Sequence, residues 1–306
     1  MLLNSASLRP SLLPRLVLRC FRSGPASNSA LPARPRVAAL LFVAMAVPGL
    51  CQAQAVREGD AAGDMRYLLG MSYRYGPEYF GARQNGGDIK PLWALRWGRW
   101  RIATSGSSGL MGFGRETVDG GAGASRELFR NENFSLGFGL RIDSGRDSRD
   151  SESTQGLPDV KRTLRGRVYV SYNLAPGWQL GGSLSQDLAG RDGGLVWSTD
   201  LRKQLYRSAG GELSVGIGVS GGNGRYMQSY FGVPEGPAAE RLGRSYSPGS
   251  GLRDAGLGLS YTRSISKHWV CFSSLGTGRL LGTAADSPLN QKSGSFNWSL
   301  GLAYRN

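Results

Sequence analysis

Phe134, Leu136, Phe138, Leu140 and Ile142 alternate with Ser135, Gly137, Gly139 and Arg141. Successive side chains of a β-strand point to opposite faces, so this stretch sets large apolar groups on one face and small or charged groups on the other. Leu213, Val215, Ile217 and Val219 alternate in the same way with Ser214, Gly216, Gly218 and Ser220, as do Phe296, Trp298, Leu300, Leu302 and Tyr304 with Asn297, Ser299, Gly301 and Ala303. Shorter versions occur at Val168-Val170-Tyr172-Leu174, Trp178-Leu180 and Leu257-Leu259-Tyr261. A soluble sandwich alternates too. Three features favour a membrane. The strands are about ten residues long, enough to cross a bilayer at a tilt. Aromatics stand near strand ends (Trp93, Trp97, Trp100, Trp178, Trp269, Tyr304), where an interfacial girdle places them. The second face is mainly Gly and Ser, which suits a crowded barrel interior. An open sheet edge would leave backbone groups unpaired in lipid, so the sheet must close. The expected fold is an all-β transmembrane antiparallel barrel of the bacterial outer membrane.

The pattern gives twelve strands, near 65–75, 89–97, 99–106, 109–115, 133–143, 164–174, 177–187, 194–206, 211–220, 254–264, 268–280 and 293–304; ten is the alternative count. An even number returns both ends to the periplasm. Gly98, Ala175-Pro176, Ser208-Ala209-Gly210 and Ser266-Lys267 then make tight periplasmic turns, and 76–88, 144–163, 221–253 and 281–292 the longer extracellular loops. Residues 116–132 fit poorly, as a long stretch on the periplasmic side. Loop 221–253 carries Pro234, Pro237 and Pro248. It is not a strand throughout, and a loop of that length is functional or mobile.

Ahead of the barrel, Arg34 and Arg36 precede an apolar stretch from Val37 to Leu50, and Ala53-Gln54-Ala55 offers a small-x-small cleavage site. Residues 1–55 are expected to be a signal peptide with an extended N-region, and 56–306 the barrel. Cys51 lacks the small preceding residue that lipidation takes. Removing 1–55 removes Arg9, Arg15, Arg19, Arg22, Arg34 and Arg36 and no acid, so the formal charge falls from +15 to +9. Cys271 is then the one cysteine left, with no internal disulfide available, and is expected to be buried or to face lipid. The basic residues are scattered, without a lysine-arginine run or recognition helix, which argues against nucleic acid. They suit phosphate-bearing outer-membrane lipid and lipopolysaccharide, or an anionic solute in the lumen.

Gly76-Pro77-Glu78-Tyr79-Phe80-Gly81, Gly145-Arg146-Asp147-Ser148, Ser229-Tyr230-Phe231-Gly232-Val233 and Arg279-Leu280-Leu281-Gly282-Thr283-Ala284-Ala285-Asp286-Ser287-Pro288 together resemble the MipA/OmpV family of outer-membrane proteins, in order and spacing across nearly the whole mature chain. The resemblance implies a barrel of about twelve strands and, from the member that names the family, a scaffold joining periplasmic murein hydrolase and synthase. Other members are described as porin-like or as surface antigens. Members commonly end in an aromatic residue; this chain departs from that with Tyr304-Arg305-Asn306, so that either Tyr304 serves in its place or assembly is less efficient. The family supplies no catalytic residue.

The chain's own candidates for chemistry are weak. His268, the single histidine, is the handle for a barrel lipid hydrolase, but it lies between Lys267 and Trp269 at a periplasmic turn, and reads as an interfacial residue beside an aromatic anchor. Ser264-Ile265-Ser266-Lys267 matches a Ser-x-x-Lys string without the helix or companion motifs that string needs. Gly216-Ile217-Gly218-Val219-Ser220-Gly221 matches the dinucleotide fingerprint inside a strand, not at a strand-to-helix turn. Asp143, Asp147, Asp150, Glu152 and Asp159 gather in one loop and offer a divalent-cation site, though with Arg146, Arg149 and Lys161 among them they read better as a solvated charged loop. No catalytic, cofactor or metal residue is assigned, and no cofactor is expected. Arg141, Arg165, Arg167, Asp200 and Arg202 are expected to face the lumen, where charges pair and plug a barrel or set the selectivity of a pore. Three functions follow: a non-enzymatic scaffold for murein machinery, a small channel for polar or anionic solutes, and a hydrolase dependent on His268.

Overall fold

The computed structural model describes residues 65–104, 122–149 and 151–306. Twelve antiparallel strands close into one barrel: β1 (Arg66–Pro77), β2 (Asn85–Trp97), β3 (Trp100–Ala103), β4 (Gly123–Arg130), β5 (Phe134–Asp143), β6 (Thr163–Ala175), β7 (Trp178–Asp187), β8 (Leu195–Ser208), β9 (Gly211–Gly222), β10 (Gly251–Ser264), β11 (Trp269–Leu280) and β12 (Gly294–Arg305). Each strand pairs with its sequence neighbours, and β1 closes on β12 from Leu68↔Arg305 to Tyr75↔Trp298. The twelve-strand count holds, and the pairing of β1 with β12 leaves neither terminal strand as an edge.

The fourth strand is a correction. The expected segment 109–115 lies outside the described residues, and β4 occupies Gly123–Arg130. The tight turn 131–133 then joins β4 to β5, and residues 105–121, between β3 and β4, lie outside the described residues. The misfit of a long periplasmic stretch disappears. A further loop, 188–194, joins β7 and β8 at the extracellular end. β4 hides its period because a bulge at Leu128 breaks its register with β5. It also carries a charge on its outer face: Arg126, beside Trp100 and Phe138, holds its guanidinium 5.4 Å from the Trp100 ring. An arginine near the bilayer edge keeps its head toward water while its stem lies on apolar surface.

Leu69, Met71, Ile89, Val168, Leu184, Ile217 and Leu300 stand outward and about half exposed or more. A belt that size would drive aggregation in water but matches hydrocarbon. Trp97, Trp100, Trp178, Trp269 and Tyr304 ring the short-turn end, and Tyr73, Tyr75 and Trp298 cluster toward the other, with ring centroids 5.3 and 6.3 Å apart. Cys271 pairs with Leu302 on the outer face. The protein is thus an outer-membrane barrel.

The interior departs from the expectation of small and polar groups. Near the periplasmic end Leu68, Leu92, Ala94, Ala103 and Ala303 turn inward and pack together with Phe272. Elsewhere glycines make room for rings. A Cβ on Gly137 would collide with the ring of Tyr169 on the neighbouring strand, so that position takes no larger residue while the ring lies there.

Candidate functional site at the barrel mouth

The loop between β9 and β10 does not remain strand. It forms α1 (Gly224–Phe231) and α2 (Pro237–Leu242), while α3 (Gly282–Ala285) follows β11. Asn223 starts α1 by accepting the Tyr226 N–H at 3.0 Å, and the same oxygen accepts the Leu195 N–H at 3.0 Å. One side chain therefore caps the helix and fastens it to the start of β8. Tyr226, Met227 and Phe231 point down and bury against Val196, Leu280 and Ala284. Behind them Leu157, Val233, Ala238, Ala239 and Leu289 form a second apolar layer.

Under this plug the wall supplies charge. Arg165 on β6 is 1% exposed. Its Nε meets Asp143 at 2.6 Å, its Nη2 donates to the Gly193 carbonyl at 2.6 Å and its Nη1 to the Gly194 carbonyl at 3.2 Å. Asp143 also accepts the Tyr230 hydroxyl at 2.9 Å. Burial first, then this carboxylate, push the Tyr230 phenol well above its ordinary value. Arg253 sits at a bulge in β10, which turns both it and Asp254 inward. It meets Asp254 at 2.7 Å and donates to the Tyr226 hydroxyl at 2.7 Å, and its guanidinium lies 4.8 Å from the centre of the Phe80 ring. Asp187 accepts the N–H groups of Ala189, Arg191 and Gly193 and the Thr163 hydroxyl, which shapes loop 188–194.

The four stretches that carry the family resemblance meet at this mouth. Phe80 packs on Phe231, with centroids 6.4 Å apart. Arg146 donates to the Tyr230 carbonyl at 2.9 Å, and burial lowers its pKa. Ser287 donates to the Phe231 carbonyl at 2.7 Å, and Tyr79 to the Leu289 carbonyl at 3.3 Å. Segments more than 200 residues apart thus close one plug.

All five expected lumen residues lie on inward positions. Arg165 pairs with Asp143, and Arg202 pairs with Glu212. Arg141 on β5 lies level with Arg165, Arg167 lies one inward position deeper on β6, and Asp200 lies on β8 above Arg202. The proposed cation cluster is not brought together. Asp143 belongs to the lumen, Asp150 lies outside the described residues, and Asp159 accepts the Ser148 N–H at 2.8 Å. Asp147 is held at about 2 by hydrogen bonds from Arg149. No metal-binding group is found among the described residues. His268 lies exposed in the turn after β10, its ring stacked on Tyr304 at 5.4 Å and its Nδ1 3.0 Å from the Arg305 carbonyl oxygen. Ser264 ends β10 with Lys267 in the following turn, and Gly216–Gly221 lies wholly within β9. Arg253 was the residue hardest to foresee. The signal for it was two adjacent charges in a spanning strand, which share a lumen only across a bulge.

Gly145 makes the loop after β5 possible. Its φ is +71°, and a Cβ there would collide with the Val160 carbonyl, which accepts the Arg146 N–H at 2.9 Å. Gly145→Ala is expected to strain this loop by about 1–3 kcal/mol and release Arg146 from Tyr230. Trypsin cleavage at Arg149, Lys161 or Arg162 should speed up roughly tenfold, while the barrel keeps its heat-modifiable mobility on a gel. Unchanged cleavage would contradict the role given to Gly145.

No curated protein sequence matches the chain. Among solved structures it is similar to the NanC porin (7% identity, 76% of this chain and 98% of that one, TM-score 0.42) and to the KdgM porin in complex with disordered oligogalacturonate (10%, 78% and 98%, TM-score 0.41). An outer membrane channel from Pseudomonas putida F1 is also similar (12%, 82% and 99%, TM-score 0.39). The family model described as MltA-interacting protein MipA matches residues 69–306, the whole barrel from its first strand with the four stretches that build the plug, and the chain belongs to that family.

Proposed function

We propose that this protein is a non-enzymatic outer-membrane scaffold for murein machinery, exported by its N-terminal segment 1–55 and working from its periplasmic rim. The observation that carries this reading is the filled lumen: α1 and paired charges at the mouth, and inward-facing Leu68, Leu92 and Phe272 at the other end. A barrel built to pass solutes has little use for either. Support also comes from the family, named for interaction with MltA. The rim itself is basic. Arg99, Arg207, Arg263 and Lys267 are exposed there against Glu132, while Glu127 and Glu212 are taken up by Arg101, Arg130 and Arg202. Such a rim suits an acidic protein surface, steering its approach as well as holding it.

The test is capture of murein hydrolase or synthase by the full chain from cross-linked cells. Recovery of the enzyme is expected, and charge reversal at Arg207, Arg263 and Lys267 should cut it roughly tenfold. A folded barrel that retains no murein enzyme would rule the scaffold out. A second reading, a small channel for anions, is favoured by Arg141 and Arg167 on the inner wall. It requires discrete, anion-biased conductance steps from the wild-type barrel in a planar bilayer.

A further inference from the structure

On the outside of the barrel, one row of side chains is short. Thr199 on β8, Val219 on β9 and Ala255 on β10 pair in register and lead to Arg279 on β11. Gly182 and Gly294 flank the row on β7 and β12. The next outward row toward the periplasm is long, with Leu180, Leu201, Ile217 and Leu257. The row on the other side carries Trp197 and Leu252. Short side chains between long ones leave a hollow of about 610 Å³ in the lipid-facing wall, with Arg279 on its border. Ligand sites are commonly about 300–1,000 Å³. The surface of the hollow is hydrocarbon in character. Thr199 donates its hydroxyl to the Gly181 carbonyl and Thr277 to the Ser295 carbonyl, both at 3.0 Å, so neither hydroxyl needs a partner outside the barrel.

Arg279 is the exception. It is exposed, and no hydrogen bond or ion pair ties it to the described residues. Ten residues along β11 separate it from Trp269 in the periplasmic girdle. At about 3.3 Å per residue on a strand tilted about 40°, the rise is roughly 25 Å, which is the height of the apolar band on an outer-membrane barrel. Arg279 therefore stands at the headgroup level of the outer leaflet, at the edge of a hydrocarbon hollow. A guanidinium there matches a phosphate through two parallel hydrogen bonds, and the hollow beside it takes an acyl chain.

We infer that the outer wall of β7 to β11 binds one lipopolysaccharide molecule by its lipid A part, with an acyl chain in the hollow and a phosphate on Arg279. The charge complementarity and the extracellular level of Arg279 select this occupant. The site rests on the outer-membrane placement of the barrel and stands or falls independently of the scaffold reading.

The test uses the refolded full barrel in a mild non-ionic detergent, its fold checked by the heat-modifiable gel shift. Lipid A is titrated in, and the adducts are read by native mass spectrometry. The wild type is expected to take up one lipid A molecule ahead of any others. Arg279→Gln should weaken the apparent affinity by more than about tenfold, as should removal of the lipid's phosphates. Ala255→Trp fills the floor, leaves Arg279 in place and should also weaken binding. If one variant does not fold, the other decides, and an unchanged affinity in a folded variant overturns the site. Adducts equal in number in the wild type and both variants would be annular lipid only and would overturn it too. Phosphatidylglycerol bound as tightly as lipid A would overturn the assignment to lipopolysaccharide. A dimer abolished by Ala255→Trp, without a lipid adduct, would give the hollow to a second copy of the chain instead.

Discussion

Arg165→Met is expected to destabilise the barrel by about 3–5 kcal/mol, the range for breaking a buried pair and leaving one charge behind. The stranded group is Asp143, which keeps the Tyr230 hydroxyl and the Gly145 N–H but no counter-charge among these partners. Three further contacts go with the guanidinium: the carbonyls of Gly193 and Gly194, and the face of Tyr226 at 5.5 Å. The loss should therefore appear in loop 188–194 and in α1 as well as in β6. Denaturant unfolding of the refolded protein measures the total, and proteolysis at Arg191 and Arg225 reports the loosened mouth. The double variant Arg165→Met/Asp143→Leu should recover most of the loss, because removing both charges removes the stranded one. If the single variant falls by less than 1 kcal/mol, this pair does not hold the mouth together.

Most of the wall was legible in the sequence because a barrel in lipid obeys a period of two. Residues 134–142 read correctly on both faces: Leu136 and Phe138 turn out, and Gly137 and Arg141 turn in. β9 and β12 were equally plain. β4 was not, because its outer face carries Arg126, its inner face carries Glu127, and the bulge at Leu128 resets the period between them. The plug was legible only as something other than strand. α1 is eight residues long and lacks an apolar run, and its helical state rests on the Asn223 cap and on Tyr226, Met227 and Phe231 finding a pocket built by other loops. No local propensity encodes such a pocket. The family stretches were visible as strings, but their meeting around Phe231 required the closed barrel to bring Phe80, Arg146 and Ser287 to one place.

Removing the plug is expected to turn a silent barrel into a conducting one. The register allows a clean deletion. Gly222 and Gly251 are paired residues at the ends of β9 and β10, so residues 223–250 can be replaced by a two-residue Asn-Gly turn without disturbing either strand. The deletion takes away α1, α2 and the buried rings of Tyr226 and Phe231, and leaves Arg165 and Arg253 facing open water. Planar bilayers carrying the wild type should stay silent, and the deletion should give discrete steps biased toward anions by the arginines it uncovers. If the wild type already conducts at the same level, the plug does not seal the lumen and the channel reading leads. If the deletion folds and stays silent, the seal lies at the other end, in the packing of Leu68, Leu92 and Phe272. A barrel closed there has its mouth for some purpose other than gating, and its extracellular plug becomes a docking or protective surface.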